Sequence, residues 1–295
     1  MKPVRTVIMA KAPLAGLAKT RLIPALGADG AAKLAEAMLL KTLRVALAAG
    51  VGPVELCTSP AVDTASWKHV ALPEGIICSG QSQGDLGARM AHLALRTITA
   101  GERLILIGTD CIELSDIHLQ QTAEALRQYD VVMHPVADGG YALLGLNLFD
   151  GSLFSDVPWS THTVARLTRQ RIENLGWRLF EGELLHDVDT PEDLSNWAQH
   201  CIQYPPAPDT RYGQILQEIC EKIAVVNEVI AQSTVTCPAC GYRKKETMPI
   251  DACQWFYACE SCHVLLKPKA GDCCVFCSYG DVACPPIQQN HRCCK

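Results

Sequence analysis

The sequence predicts an α/β protein built on an open, mostly parallel sheet with helices on both faces, followed by a small cysteine-rich domain. Short β-branched runs alternate with longer Ala/Leu-rich segments over residues 1–200, the pattern of successive strand–helix units. The run Leu104 to Gly108 (LILIG) is apolar throughout, as suits a central strand covered on both faces. Of the 16 cysteines, eleven fall between Cys237 and Cys294, so the C-terminal stretch has a composition of its own.

In chain order, Val4 to Ala10 (VRTVIMA) reads as a buried strand, and Lys11 to Pro24 as a loop punctuated by Pro13, Gly16 and Pro24. A helix starts at Asp29, because Leu34, Met38, Leu39, Leu43 and Leu47 recur on one face until Gly50 stops it. Val54 to Thr58 and Ile76 to Cys78 follow as strands, Leu86 to Ala100 as a helix, and LILIG as the central strand. Ser115 caps a helix running to about Tyr129; Val131 to His134 and Tyr141 to Leu146 are strands, and Thr161 to Leu175 is a helix. Thr190-Pro191-Glu192-Asp193 joins an N-cap, a proline at the first helical position and acids in the first turn, starting a helix to about His200. Tyr204 to Pro208 (YPPAP) breaks the pattern. Ile215, Leu216, Ile219, Ile223, Val226 and Ile230 then give one apolar face of a docking helix. The expected division is 1–203, a linker and amphipathic helix over 204–234, and a metal-binding domain over 235–295.

With 295 residues, 48% of them hydrophobic and 19% charged, the chain has side chains for a sizeable core, which excludes a disordered or fibrous class. A net charge of -5 argues against bulk polyanion binding, so no nucleic-acid partner is expected. The apolar run at the N-terminus is too short for a signal, and nowhere does one approach the roughly 20 residues needed to cross a bilayer. The expected setting is therefore cytoplasmic, without membrane insertion and with thiols reduced unless they hold metal.

Chemistry in such a sheet gathers at the carboxyl ends of the strands. Asp110 follows LILIGT directly, where a hard divalent ion needs only one or two carboxylates if phosphate oxygens complete its shell. Asp187-Val188-Asp189-Thr190 is a second acid-rich loop; its acids either join that site or cap the helix behind them. Lys11, Lys19 and Arg21 lie in the loop after the first strand, where they either converge on a diphosphate, with Gly16 admitting it to the backbone, or form an ordinary solvated surface. Neither a Walker A nor a G-x-G-x-x-G loop is present. Asp138-Gly139-Gly140-Tyr141 is a tight turn before a strand.

Six patches in order then carry a family resemblance: KAPLAGLAKTRL (Lys11 to Leu22), QGDLGARM (Gln83 to Met90), GTDC (Gly108 to Cys111), DGGYALLGL (Asp138 to Leu146), PWST (Pro158 to Thr161) and DVDTPEDL (Asp187 to Leu194). Residues 1–200 resemble the DUF2064 family of GT-A-type proteins, a subgroup of which is named for arsenosugar-biosynthesis glycosyltransferases and which is related to nucleotidyltransferases on the same sheet. The resemblance implies a GT-A, nucleotide-diphospho-sugar transferase-like fold and transfer from a nucleotide-activated sugar to a small-molecule acceptor. It implies that Asp110, with Asp189, holds Mg²⁺ or Mn²⁺, and that Lys11, Lys19, Arg21, Gln83, Asp85 and Arg89 border the nucleotide. Gly139, Gly140 and Tyr141 would line the substrate, and Asp138 would accept the acceptor's proton. Two positions depart from the pattern, Ile112 where a proline is usual and His134 where a small residue is usual, and both bear on acceptor choice.

In the C-terminal stretch, Cys237-Pro-Ala-Cys240 and Cys259-Glu-Ser-Cys262 have the spacing of a four-thiolate Zn²⁺ site, a zinc-ribbon-like arrangement in which metal replaces a core too small to form alone. Cys253, Cys273, Cys274, Cys277, Cys284, Cys293 and Cys294 are left over. Of these, Cys273, Cys274 and Cys277 suit a soft ion or metalloid, a redox function or a second structural zinc. MPIDACQWFYACESC followed by GDCCVFCSYGDVACPPIQ resembles the small GDCCVxC-domain proteins over 237–288. The functional classes in view are a metal-dependent glycosyltransferase, a nucleotidyltransferase on the same fold, and a non-catalytic thiol protein that buffers soft metal.

Overall fold

Strand β1 (Val4–Lys11) leads through a loop and a single turn of tight helix into α1 (Ile23–Ala49). The backbone of α1 breaks at Gly27, whose φ of 72° is left-handed, so the long amphipathic segment begins just after it, close to the start predicted at Asp29. There follow β2 (Val54–Ser59), β3 (Ile76–Gly80), α2 (Leu86–Thr99), β4 (Arg103–Ile107), α3 (Asp116–Ala125), β5 (Val131–Pro135) and β6 (Tyr141–Leu146). Next come α4 (Val164–Asn174), β7 (Leu179–Glu181), α5 (Pro191–Gln203) and α6 (Arg211–Val226). The computed structural model describes residues 2–203, 211–226, 230–249 and 252–288 of the chain. The break expected at 204–208, Cys293 and Cys294, and the side chains of Cys201, Ile223 and Val226 lie outside them.

The seven strands form one sheet in the order β3-β2-β1-β4-β6-β5-β7, parallel except for β6, which pairs antiparallel with both β4 and β5. LILIG is central, as its composition requires. Successive residues of β4 feed opposite faces: Ile105 and Ile107 pack with Leu39, Leu43 and Leu119 on the side of α1 and α3, whereas Leu104 and Leu106 pack with Met90, Leu93 and Ile172 on the side of α2 and α4. Because β1, β2, β4, β5 and β7 run the same way, their following loops open on one edge of the sheet.

Three expectations change. Helix α3 ends at Ala125 instead of Tyr129; Ser115 does cap it, in a reciprocal box with the His118 ring. The chain divides into compact units at Met1–Cys220 and Glu221–Lys295, not at residue 203. Tyr212 packs on the first core and lies under the Arg44 guanidinium, and Leu216, Ile219 and Cys220 are buried, so the start of α6 belongs to the first unit. Ile230, placed on its apolar face by the sequence, lies outside the helix and is exposed.

The unit Glu221–Lys295 contains two antiparallel hairpins, β8 (Gln232–Thr236) with β9 (Arg243–Thr247) and β10 (Tyr257–Ala258) with β11 (Leu265–Leu266). Two short helices follow, α7 (Val275–Tyr279) and α8 (Pro285–Gln288). Its apolar interior is small and gathers around Val235, Tyr257, Leu266, Val275 and Phe276.

Candidate active site

The loop after β1 turns back through Lys19, itself left-handed at φ 46°. The Lys19 ammonium lies 2.6 Å from Asp110 Oδ1 and 2.6 Å from Asp189 Oδ1, and it also donates to the Val188 carbonyl at 2.7 Å. Burial of this ammonium opposes its charge, but the carboxylates of Asp110 and Asp189 prevail and hold its pKa above the ordinary lysine value. The two acid loops noted separately in the sequence thus meet around one cation. Their backbones are joined as well, since Val188 N–H donates to the Asp110 carbonyl at 3.0 Å.

Beside this pair is a cavity of about 170 Å³ bounded by Arg21, Asp138, His186, Asp187 and Asp189. Asp138 stands at the tip of the β5–β6 turn, and its Oδ1 accepts from Gly140 N–H at 2.8 Å. Gly139 has a φ of 93°, and a Cβ there would stand 2.1 Å from the His162 carbonyl oxygen, so glycine sets how closely this turn approaches the segment before α4. Asp187 was not chosen from the sequence. Burial pushes its carboxyl up to about 7, and the neighbouring Asp138, Asp189 and Asp110 charges push it the same way.

Capping of α5 falls to neither Asp187 nor Asp189. Asp193 accepts from Thr190 N–H and the Thr190 hydroxyl, both at 2.8 Å, and Asp193 N–H donates back to that hydroxyl at 3.2 Å. This reciprocal box leaves the carboxylates ahead of it facing the cleft. Two further contacts position the edge. The buried Lys41 ammonium donates to the carbonyls of Ile112 and Leu114, bracing the chain after Asp110, and Glu113 accepts from His186 N–H at 2.9 Å.

Along the other flank, Arg89 donates to Gly84 O at 2.9 Å and to Gln81 Oε1 at 3.2 Å. The Gln81 amide in turn reaches the carbonyls of Ala10 and Cys57 near the ends of β1 and β2. Gln81 escaped the sequence reading because a lone glutamine carries no signal until the strands it bridges are paired. Lys11 and Gln83 are exposed on the same edge. Asp85 N-caps α2, accepting from Ala88 N–H at 2.8 Å.

Two residues sit elsewhere than expected. Tyr141 packs its ring into the layer of α2 and α4, with its hydroxyl buried beside Thr168, and is not among the residues bounding the cavity. His134, whose departure from the family pattern was expected to bear on acceptor choice, is only 1% exposed and is packed edge-on to His118 at 5.3 Å. Gly182 makes that room: a Cβ there would lie 2.2 Å from the His134 ring.

In the second unit the two knuckles have the same local build. Gly241 N–H donates to Cys237 O and His263 N–H to Cys259 O, and each donor residue, just after the second cysteine of its pair, has positive φ, 75° and 57°. Sulfur separations are 3.8 Å for Cys237 to Cys262 and 3.7 Å for Cys240 to Cys259. A tetrahedral ion with bonds of about 2.3 Å to sulfur separates its ligands by about 3.8 Å, so the four thiols have metal-ligand geometry. Cys253 departs from the expectation of reduced thiols, for it is disulfide-bonded.

Residues 42–161 match the family model DUF2064, described as an uncharacterized protein conserved in bacteria. No curated protein matches the chain. A solved protein from Desulfovibrio desulfuricans G20, assigned provisionally as a nucleotide-diphospho-sugar transferase, is 25% identical with a TM-score of 0.69, covering 76% of this chain and 98% of its own. A cytidylyltransferase from Leptospira borgpetersenii is 16% identical with a TM-score of 0.47, over 76% and 97% of the two chains. A nucleotidyl transferase from Methanothermobacter is 17% identical with a TM-score of 0.45, over 69% and 100%. The sheet therefore has the nucleotide-diphospho-sugar transferase-like fold.

Proposed function

We propose that the unit Met1–Cys220 is a divalent-metal-dependent glycosyltransferase that takes a nucleotide-activated sugar and a small-molecule acceptor. The observation that carries this reading is the convergence of the Asp110 and Asp189 carboxylates on one ammonium at the carboxyl edge of the sheet, beside the cavity bounded by Arg21 and Asp138. Hard oxygens that share one cation fit Mg²⁺ or Mn²⁺. Asp110 and Asp189 would hold such an ion, which would supply neutralisation of the departing diphosphate. Arg21 and Lys19, with Lys11 nearby, bind the phosphates; Gln83 and Arg89 border the nucleotide on the flank anchored by Gln81. Asp138, on its braced turn, accepts the proton of the acceptor hydroxyl, and Gly139 and Gly140 shape that wall. The similarity to the Desulfovibrio protein supports a nucleotide-sugar donor.

Nucleotidyl transfer is the second reading, because a loop carrying Lys11, Lys19 and Arg21 suits a triphosphate as well as a diphosphate. The leaving group separates the two. Incubation of the protein and Mg²⁺ or Mn²⁺ with nucleotide-sugars is expected to release nucleoside diphosphate, and Asp110→Asn to abolish the release. Pyrophosphate formed from a nucleoside triphosphate and a sugar phosphate would establish the second reading. Neither product, with no nucleotide shifting the melting temperature, would leave the thiol-buffer class.

The quartet of Cys237, Cys240, Cys259 and Cys262 holds Zn²⁺ in this reading, supported by its sulfur spacing. Among the described residues no helix is long and apolar enough to cross a membrane. A cytoplasmic setting, where thiolates stay available to metal, belongs to the same proposal.

A further inference from the structure

We infer that Cys273, Cys274, Cys277 and Cys284 form a second four-thiolate site for a divalent thiophilic cation, separate from the ribbon quartet and independent of any activity of the first unit. The sequence grouped only the first three; the fold adds Cys284, which returns to them just before α8. Cys277 lies on α7 one turn after Cys273 and Cys274, and its sulfur is 3.2 Å from Cys273, 3.7 Å from Cys274 and 3.5 Å from Cys284. Cys273 and Cys284 are 3.4 Å apart, and the ligand atoms of Cys273, Cys274 and Cys284 all lie within 4.8 Å of one another. Every pair in this quartet is thus within ligand range. These separations are far beyond the roughly 2.05 Å of a disulfide and close to the roughly 3.8 Å edge of a tetrahedral four-sulfur site. All four residues are free thiols.

Cys253 shares this neighbourhood, with its sulfur 4.0 Å from Cys284, but it is disulfide-bonded and has no thiolate to offer. Cys277 takes the fourth position instead, and its sulfur accepts from the Cys284 N–H at 3.5 Å, the kind of outer hydrogen bond that orients a ligating thiolate. Cys274 and Cys284 are fully buried and Cys273 and Cys277 half-buried, among Val275, Phe276 and Tyr257. Four thiols pressed together in so small an interior repel one another once ionised. A cation of borderline or soft character, Zn²⁺ first among those available to a cell, neutralises them and ties the loop at Gly271 to the start of α8.

The full-length protein, purified anaerobically without added reductant so that the Cys253 disulfide is kept, and loaded with Zn²⁺, is expected to carry two zinc ions per chain. Cys284→Ser is expected to retain one, Cys240→Ser one, and the double variant none. Where a variant fails to fold, the wild type decides: alkylation followed by mass spectrometry should find Cys273, Cys274, Cys277 and Cys284 protected with zinc and modified after its removal. Co²⁺ in place of zinc should give thiolate charge-transfer absorption of four-sulfur intensity for each of two ions. The inference is overturned if the wild type holds one zinc that only Cys240→Ser removes. It is equally overturned if those four cysteines are alkylated freely in zinc-loaded protein, are recovered as disulfides, or show protection of Cys253 in place of Cys277.

Discussion

In the unit Met1–Cys220, each face of the sheet rests on its own apolar layer, and strands such as β4 contribute to both. In Glu221–Lys295, the buried cluster among the described residues has ten members, and four of them are cysteines: Cys237, Cys259, Cys274 and Cys284. The first unit excludes enough apolar surface to fold on that alone, whereas the second has hairpins of two to five residues and little behind them. The contrast lies in where each unit keeps its chemistry: carboxylates at the edge of a sheet with two apolar layers, and sulfurs inside an interior too small to do without a substitute such as the metal proposed above.

The largest effect expected from that contrast is metal removal. Zinc contributes about 10–16 kcal/mol to four-ligand sites in small peptides, more than a unit of this size can replace. Dialysis against a strong chelator, followed by return of Mg²⁺, should therefore make Glu221–Lys295 susceptible to proteolysis while Met1–Cys220 keeps its melting transition and nucleotide binding. A second unit that stays protease-resistant without zinc would break the comparison.

Its converse is a core deletion in the first unit. Ile105 is fully buried in the central strand, and Ile105→Ala should destabilise that unit by about 2–5 kcal/mol in urea unfolding. Zinc content should not change. Loss of metal on this substitution would mean that the two units do not fold independently.

The same contrast governs what was legible in the sequence. Strands and helices of the first unit were readable because their apolar periodicity is long, and the knuckles of the second because C-x2-C is a local signal. The three-residue strand β7 was missed: too short to show a period, it is defined by pairing with β5. Asp110 and Asp189 were visible as acids at element ends, but their meeting through Lys19 depends on pairings across the whole sheet. Asp187 stood in the same loop, and only the Thr190–Asp193 box freed it from the capping role that an acid there usually takes. Cys284 was indistinguishable from Cys293 or Cys294 until α7 and α8 brought it back to Cys277.

Lys19→Ala sharpens the comparison at the carboxylate site. The Lys19 ammonium both balances Asp110 and Asp189 and stands in the proposed phosphate loop, so its removal should act in two directions. Binding of a nucleoside-diphosphate sugar should weaken by about 1.5–3 kcal/mol, the range for hydrogen bonds to charged groups. Mn²⁺ binding without nucleotide should strengthen, because two carboxylates lose their resident competitor. Calorimetry reads both, and unchanged affinities for both ligands would remove Lys19 from the site.

The smallest effect separates a residue that builds the edge from one that works there. Asp85 lies in the patch that resemblance ties to the nucleotide, yet its carboxylate accepts from Ala88 N–H and closes the first turn of α2. An acid at an N-cap satisfies an orphan amide and meets the positive end of the helix. Its replacement by alanine typically costs about 0.5–2 kcal/mol. Helix α2 contributes Met90 and Leu93 to one layer of the sheet, so the loss should appear in the unfolding of the first unit and leave zinc content untouched. Asp85→Asn keeps an acceptor for Ala88 and should recover most of that stability. If nucleotide affinity follows stability through the pair, falling slightly with alanine and returning with asparagine, Asp85 acts through the helix it caps. If affinity falls equally in both variants while asparagine restores stability, the carboxylate touches the nucleotide and its capping role is secondary.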